Sequence, residues 1–297
     1  MDDIEIENWK KAGRITAQIR EFGKEQIKIG ASLLKVTEKI EDEIYKLNAK
    51  PAFPVQISVN DIAAHYNPGN NDLYIFKTGD LVKLDVGVHV NGCIGDSAIS
   101  VNLNDKNNKI LIDAAEYALK EAIKIVKPGT RLGEIGKVIE DCIKEMGFNP
   151  VRNLSGHEIK KYEEHAGLTI PNFDNKDKTE LREGQIIAIE PFATTGIGLI
   201  EEKGDSEIYK AVKQKNTRDA IARDILMKIL VEYRGLPFAK RWLIKMFPDF
   251  KVNYALRLLE RDEILYRYNQ LVEKSNGLVS QAEHTLLVQD RPIILTK

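Results

Sequence analysis

Two segments of this 297-residue chain share nearly the same pattern, and each ends in a carboxylate. Residues 77–85 read KTGDLVKLD and residues 182–190 read REGQIIAIE, so a cation, a glycine, an apolar stretch and a terminal acid coincide without a gap. A carboxylate at the end of a buried strand is unfavourable unless something compensates its charge. We therefore interpret Asp85 and Glu190 as equivalent positions in two related halves that share a bound cation.

The repetition extends upstream of these strands. The sequence IEDEI at residues 40–44 is echoed by IEDCI at residues 139–143, and both lie in stretches with helical spacing of apolar residues. That spacing predicts two helices within residues 6–48 and two more at residues 107–126 and 132–146. The predicted fold class is α+β, in which helices cover an antiparallel sheet in each of two halves.

A β-hairpin is predicted over residues 81–103. Its turn is Asn91-Gly92, the strongest short hairpin signal. A two-residue turn makes Asp85 and Asp96 diagonal neighbours, with backbones ~7–8 Å apart and a glycine opposite Asp96. The hairpin by itself leaves two readings open, a shared metal ion or two exposed acids on the wet face of a sheet. A register slip of one residue would separate the two side chains.

Charge is distributed unevenly along the chain. The net charge is −1, yet residues 209–274 contain 15 lysine and arginine residues against 8 acidic ones. A basic block of this kind predicts contact with phosphates. A solvated helical surface explains the same charges, and both interpretations stay open.

The remaining composition indicates an ordinary globular chain with 43% hydrophobic residues. Only two cysteines occur, Cys93 and Cys142, which argues against a disulfide framework and favours the reducing cytoplasm. The first residues, MDDIEIENWKK, are acidic and amphipathic, unlike a secretory signal. No apolar run approaches the ~18 residues needed to span a bilayer, so no membrane contact is expected.

Two further residues complete a candidate ligand set. Glu283 lies in a final apolar strand much as Asp96 lies in its own, and His157 follows a glycine in LSGHEI. Together with Asp85, Asp96 and Glu190 they form a mostly oxygen set. Such a set suits Mn, Fe(II), Co or Zn in a hydrolytic site better than a cysteine-rich structural zinc.

Several of these motifs resemble those of the methionine aminopeptidases. The motifs are GDLVKLDVGVHVNGCIGDSA, LSGHEI, IIAIEPFATTG and SQAEHT, and the resemblance covers the chain from about residue 6 to residue 297. It implies the duplicated pita-bread (creatinase/aminopeptidase-like) fold and an activity that removes initiator methionine from nascent chains with a small second residue. The five family ligand positions match Asp85, Asp96, His157, Glu190 and Glu283 one by one.

The resemblance is to the type 2 branch in an archaeal-like form. The sequence GHEIKKYEEHAG matches the type 2 run around the metal histidine, and the long charged N-terminal extension of eukaryotic type 2 enzymes is absent. A helical, winged-helix-like insertion is expected at residues 205–270. The pita-bread catalytic domain then comprises residues 1–204 and 271–297. Because both halves lie in one chain, a monomer is expected.

The resemblance also implies a mechanism. Two divalent metal ions are held by the five ligand positions, and a hydroxide that bridges them attacks the carbonyl carbon of the N-terminal methionine. One metal binds the free α-amino group, which explains why only N-termini are cut. Glu190 carries a proton to the leaving amine, His65 contacts the scissile amide nitrogen and His165 stabilises the oxyanion.

A methionine side chain requires an apolar slot with polarizable or aromatic walls. Phe53 and Tyr268 match family positions near that slot, although structural packing explains both equally well. The remaining histidines, His89 and His284, have no family role and are expected to be structural.

Two alternatives differ in testable ways. A proline-specific aminopeptidase or prolidase shares the ligand set but lacks the insertion and the GHEIKKYEEH run. A binding protein that has kept the fold is disfavoured because all five ligand-type residues are present. The basic block nevertheless leaves room for a secondary contact with the ribosome.

Overall fold

A computed structural model of the chain describes residues 2–213, 215 and 217–297. The helices are α1 Asp3–Gln26, α2 Leu33–Lys46, α3 Lys106–Ile125, α4 Leu132–Glu145, α5 Ala220–Tyr233, α6 Lys240–Ile244 and α7 Asp249–Arg261. The strands are β1 Lys50–Pro51, β2 Gln56–Val59, β3 Ile62–Ala64, β4 Leu81–Val90, β5 Cys93–Asn102, β6 Asn149–Pro150, β7 Ser155–Ile159, β8 Thr169–Pro171, β9 Ile186–Ile189, β10 Phe192–Thr194, β11 Ile200–Ala211, β12 Phe238–Ala239, β13 Leu265–Glu273, β14 Val279–Gln281, β15 His284–Leu287 and β16 Ile293–Ile294. None of the described helices combines the length and apolarity that crossing a membrane requires.

The first half packs two helices on an antiparallel sheet. The sheet pairs β4 with β1, β2 and β5, and α1 and α2 cover it through a buried cluster that includes Ile19, Ile40 and Leu84. The predicted break between the two helices is confirmed. Gly30 has a φ of +85°, which glycine adopts without steric cost.

The second half repeats this arrangement. Helices α3 and α4 pack on the sheet of β16, β15, β9, β7 and β8, and their buried contacts include Leu119, Ile139 and Ile187. Each half therefore places apolar helix faces on a sheet whose other face carries the acidic strand ends. The helices predicted at residues 107–126 and 132–146 are confirmed to within one residue at each end.

The ends of the basic block form strands, although the spacing of apolar residues within the block indicates helices. Helices α5 and α7 form where the periodicity is clear, but β11 and β13 pair as a long antiparallel ribbon with two register shifts. Residues 205 and 270 consequently fall inside strands. The three helices pack around their own buried cluster, which includes Leu226, Trp242 and Leu256.

The insertion is joined to the first half by buried polar contacts. Arg241 of α6 is 1% exposed, and its guanidinium forms a two-pronged pair with Glu41 of α2, at 2.9 Å from Nη2 to Oε1 and 3.2 Å from Nη1 to Oε2. The indole nitrogen of Trp242 also donates to Glu41, at 3.0 Å. Arg241 Nε further donates to the carbonyl oxygen of Pro68 at 2.7 Å.

Candidate metal centre

The hairpin of β4 and β5 brings the first two acids together. Its two-residue turn at Asn91-Gly92 pairs Gly87 with Asp96 and Asp85 with Ala98. The predicted register is thereby confirmed, and Asp85 and Asp96 are diagonal neighbours on one face.

The second half supplies three more side chains, one within a strand and two at strand ends. His157 lies in β7 and pairs with Ala188 of β9. Glu190 directly follows β9, and Glu283 directly precedes β15, whose His284 pairs with Ile189. The antiparallel order therefore brings Glu190 and Glu283 next to each other, one residue beyond the pairing.

Hydrogen bonds between β5 and the segment around residue 285 join the two halves at this point. The hydroxyl of Thr285 accepts from the backbone nitrogen of Asp96 at 2.8 Å and donates to its carbonyl oxygen at 2.7 Å. The hydroxyl of Ser97 donates to the carbonyl oxygen of Glu283 at 2.7 Å. These bonds fix the separation of acids that are distant in sequence.

The resulting cluster is compact and buried. Ligand atoms of Asp96, His157 and Glu283 all lie within 4.8 Å of one another. Nε2 of His157 is 3.6 Å from Oδ2 of Asp96 and 3.8 Å from Oε1 of Glu190. Asp85 lines the same cavity.

Burial and mutual repulsion oppose ionisation of these acids. Burial, and then the charge of Glu164, raises the pKa of Asp85 to about 7. Burial followed by neighbouring carboxylates raises the pKa values of Asp96, Glu190 and Glu283 well above their ordinary range. Burial, and then His165, lowers the pKa of His157. A bound cation would favour the ionised form of these acids, and a neutral imidazole is the form of histidine that coordinates a metal.

The side chains present fit a divalent metal ion. Oδ1 of Asp85 and Oδ1 of Asp96 are buried and have no hydrogen-bond partner among the described residues. Buried carboxylate oxygens without partners are rare unless a ligand satisfies them. Four carboxylates with one histidine are also the donor types that hydrolytic divalent metals prefer.

A cavity of about 420 Å³ opens onto this cluster. Its walls are partly apolar, and the acid cluster forms its floor. Its lining includes Phe53, Gln56, Ala64, His65, Asp85, Asp96, His157, Glu164, His165, Glu190, Phe192, Leu271 and Glu283. Eight of the nine residues predicted for the site are therefore in this lining.

His65 lies at the wall of the cavity in a strained conformation. Its φ of +65° is unusual for a residue other than glycine, and its backbone nitrogen donates to Oε1 of Gln56 at 2.6 Å. Nδ1 lies 3.2 Å from the carbonyl oxygen of Asn269 in β13. Burial lowers the pKa of His65 to about 4, so the ring is neutral at pH 7.

The ninth predicted residue, Tyr268, lies behind His65 and outside the lining. The two rings meet edge to face with their centroids 5.1 Å apart. Phe53 is buried and covers Gly87, since a Cβ added there would lie 2.1 Å from its Cε1. His165 packs edge-on against His157 at 4.2 Å between centroids.

The other two histidines lie away from the cluster. His89 accepts a hydrogen bond from the backbone nitrogen of Gly92 at 3.3 Å and packs against Tyr162. Nδ1 of His284 lies 2.9 Å from the hydroxyl of Thr296. Both positions agree with the structural roles expected of them.

Sequence reasoning missed Glu164, Gln281 and Gln56. Gln281 Nε2 donates to Oε2 of Glu190 at 3.3 Å, and strand alternation from Glu283 could have indicated it. Glu164 precedes His165 in a run of charged residues that is typical of a solvated turn, so its burial had no sequence signal.

Comparisons with known proteins find a metallopeptidase family and several methionine aminopeptidases. The profile of metallopeptidase family M24 matches residues 7–232. A methionine aminopeptidase of Pyrococcus abyssi is 45% identical over 294 residues, covering 99% of both chains. A methionine aminopeptidase of Archaeoglobus fulgidus is 45% identical over 296 residues, covering 100% of this chain and 99% of the other. Among solved structures, a methionine aminopeptidase from Thermotoga maritima is similar with a TM-score of 0.72 and 26% identity, covering 100% of this chain and 98% of the other.

Proposed function

The chain belongs to metallopeptidase family M24, and from this premise we propose that it is a hydrolase that removes N-terminal methionine from nascent proteins and peptides with a small second residue. Relatives of the same length and up to 45% identity are methionine aminopeptidases. The duplicated pita-bread fold expected from the sequence is confirmed by its structural neighbours. The observation that carries the proposal is the buried cluster of Asp96, His157 and Glu283 at the floor of the cavity.

Two divalent ions, of Co, Mn, Fe or Zn, are proposed to bind at Asp85, Asp96, His157, Glu190 and Glu283. Bound there, such ions lower the pKa of water and polarise a peptide carbonyl. The unpartnered oxygens of Asp85 and Asp96 support this assignment. Glu190, which accepts a hydrogen bond from Gln281 at one oxygen, is also proposed to carry a proton to the leaving amine.

His65 and His165 are proposed to contact the scissile peptide bond. A carbonyl oxygen accepts from Nδ1 of His65, so this nitrogen carries the proton and Nε2 is the acceptor. Nε2 can therefore accept a hydrogen bond from the scissile amide N–H. His165 lines the cavity beside His157 and is proposed to stabilise the oxyanion. Phe53 is proposed to form a wall of the methionine slot, and Tyr268 is proposed to support this slot from behind His65.

We assign the chain to the type 2 branch, with residues 205–270 as its insertion and residues 1–204 and 271–297 as the catalytic domain. The separate buried cluster of α5, α6 and α7 supports this division. We further propose a cytoplasmic monomer whose basic block contacts the ribosome near emerging N-termini. Co-sedimentation with ribosomes at low and high salt tests that contact, and binding that is absent at low salt contradicts it.

The decisive experiment is hydrolysis of Met-Ala-Ser by metal-stripped protein after addition of Co(II), Mn(II), Fe(II) or Zn(II). Metal-dependent release of methionine is expected, and the Asp96→Ala variant should lose it. Xaa-Pro peptides in parallel test the prolidase alternative, for which they would be the better substrates. Folded protein that releases nothing with any metal would refute the activity and favour a binding protein.

A further inference from the structure

The cavity contains one acidic side chain that the five ligand positions do not explain. Glu164 is 6% exposed and lines the cavity together with the acid cluster. Its Oε2 is buried and has no hydrogen-bond partner among the described residues. Its Oε1 lies 3.8 Å from Nε2 of His165, which is too far for a hydrogen bond. A carboxylate left in this state is strongly unfavourable unless a ligand supplies a donor.

The backbone around Glu164 is held in place on several sides. The backbone nitrogen of Lys160 donates to the carbonyl oxygen of Glu163 at 2.9 Å, and that of Ala166 donates to Glu158 at 2.8 Å. Tyr162, at the tip of this turn, donates from its backbone nitrogen to Gly92 at 2.9 Å. The turn that carries Glu164 is therefore fixed against the hairpin of the first half.

A cation from the insertion adds to this support. The guanidinium of Arg234 lies over the ring of Tyr162 at 4.0 Å and donates to its hydroxyl at 2.6 Å. These contacts hold the turn, and the Glu164 side chain that it carries is buried in the cavity lining.

Neighbouring groups show where in the cavity the carboxylate lies. After burial, the charge of Glu164 is the largest influence that raises the pKa of Asp85. It is likewise the largest charge that acts on the phenol of Tyr268, whose pKa is raised. Glu164 shares the lining of one cavity with Asp85, Phe53 and His65, so its carboxylate borders the space in which the N-terminal residue of a substrate would bind.

We propose that Glu164 binds the α-ammonium group of the substrate's N-terminal residue. The inference rests on the aminopeptidase activity proposed above. Every substrate of such an enzyme carries this group, which is mostly protonated at neutral pH because its pKa is about 8. It offers three N–H donors to a carboxylate, and charge-assisted bonds of this kind are the strong ones. An internal peptide segment has no such group, so Glu164 favours N-termini.

The test compares two ligands that differ only in the amino group. L-Methioninamide and 4-(methylthio)butanamide are titrated into metal-loaded protein by calorimetry. Glu164→Gln, which keeps the shape and removes the charge, should weaken binding of the amine at least tenfold. It should change binding of the deaminated ligand less than twofold. Glu163→Gln removes the adjacent, exposed carboxylate and should leave both affinities unchanged.

Two results would overturn the inference. One is equal weakening of both ligands by Glu164→Gln, which would mean that the residue only shapes the slot. The other is a wild-type protein that binds both ligands equally well. Glu164→Met, which has a similar length and no charge, serves as the second variant if the glutamine variant does not fold. Hydrolysis of Met-Ala-Ser by the same wild-type sample keeps the outcomes separate, because failure there refutes the activity itself.

Discussion

The buried pair of Arg241 and Glu41 allows the sharpest prediction about how the insertion is attached. Both side chains are at most 2% exposed, and their two bonds measure 2.9 Å and 3.2 Å. Replacing Arg241 by Met fills much of the same volume but leaves the charge of Glu41 buried without its partner. Removing one member of such a pair costs about 3–5 kcal/mol.

The double variant Glu41→Leu/Arg241→Met should recover part of this loss, because neither charge then remains buried. Recovery should be incomplete, since Trp242 and Pro68 each lose a hydrogen-bond partner in it. At about 1 kcal/mol for each lost bond, we expect the double variant to be about 2 kcal/mol less stable than the wild type.

Urea unfolding measures these differences, with Trp242 as a fluorescent reporter at the junction itself. Arg261→Met is the matched control, because Arg261 pairs with Asp262 at the surface. It should change stability by less than about 0.5 kcal/mol. A loss below about 1 kcal/mol for Arg241→Met, or a double variant less stable than either single variant, would refute the reasoning.

The same variants also bear on activity. Arg241 holds the carbonyl oxygen of Pro68, three residues after His65 in the loop that forms the cavity wall. We therefore expect Arg241→Met to raise KM for Met-Ala-Ser in the part of the sample that remains folded, whereas Arg261→Met should leave KM unchanged.

Three further predictions follow from the site and its surroundings. Gly87→Ala should destabilise the protein by about 1–3 kcal/mol in urea unfolding and raise KM, because the new Cβ would lie 2.1 Å from Phe53. Gly69→Ala is the control, because its Cβ would meet nothing closer than 3.5 Å. Equal effects of the two variants on stability and KM would contradict this. Metal at 100 times its Kd should stabilise the protein by about 2.7 kcal/mol and raise Tm by several degrees in a thermal-shift assay, and an equal rise in Asp96→Ala would exclude the cluster as its cause. Burial lowers the pKa of His89 to about 4, so the unfolded state binds this proton at a higher pH than the folded state, and stability should fall as pH drops from about 6.5 to 4. The His89→Gln variant should lose less stability over that interval. An equal fall of the urea midpoint in the variant and in the wild type would refute this.

Local patterns predicted the parts of the fold that local physics determines. The turn at Asn91-Gly92 fixes the register of its hairpin, and this register alone places Asp85 diagonal to Asp96. Helix spacing predicted α3 and α4 to within a residue at each end, because the spacing of apolar residues is also a local signal. Glu190 was indicated by the repeat of the Asp85 segment, whereas His157 and Glu283 were only candidates until the surrounding motifs were found to resemble the family.

Features that depend on distant partners had no comparable signal. Arg241 lies in a basic block and looks like its solvated neighbours, because its partner Glu41 is 200 residues away. Glu164 is hidden in the same way, since the turn that carries it is held against the distant hairpin through Tyr162. The ends of the basic block are charged and lack clear alternation, so β11 and β13 emerge only from their pairing with each other.

The hydrogen bonds of Thr285 to Asp96 have a consequence for the order in which the enzyme is made. During translation the hairpin with Asp85 and Asp96 emerges before Thr285, which lies 189 residues after Asp96 in the chain. Until Glu283 and Thr285 are added, the first two acids have neither their neighbour nor the bonds that space them. A copy that has not been extended past Thr285 should therefore be inert towards other growing chains.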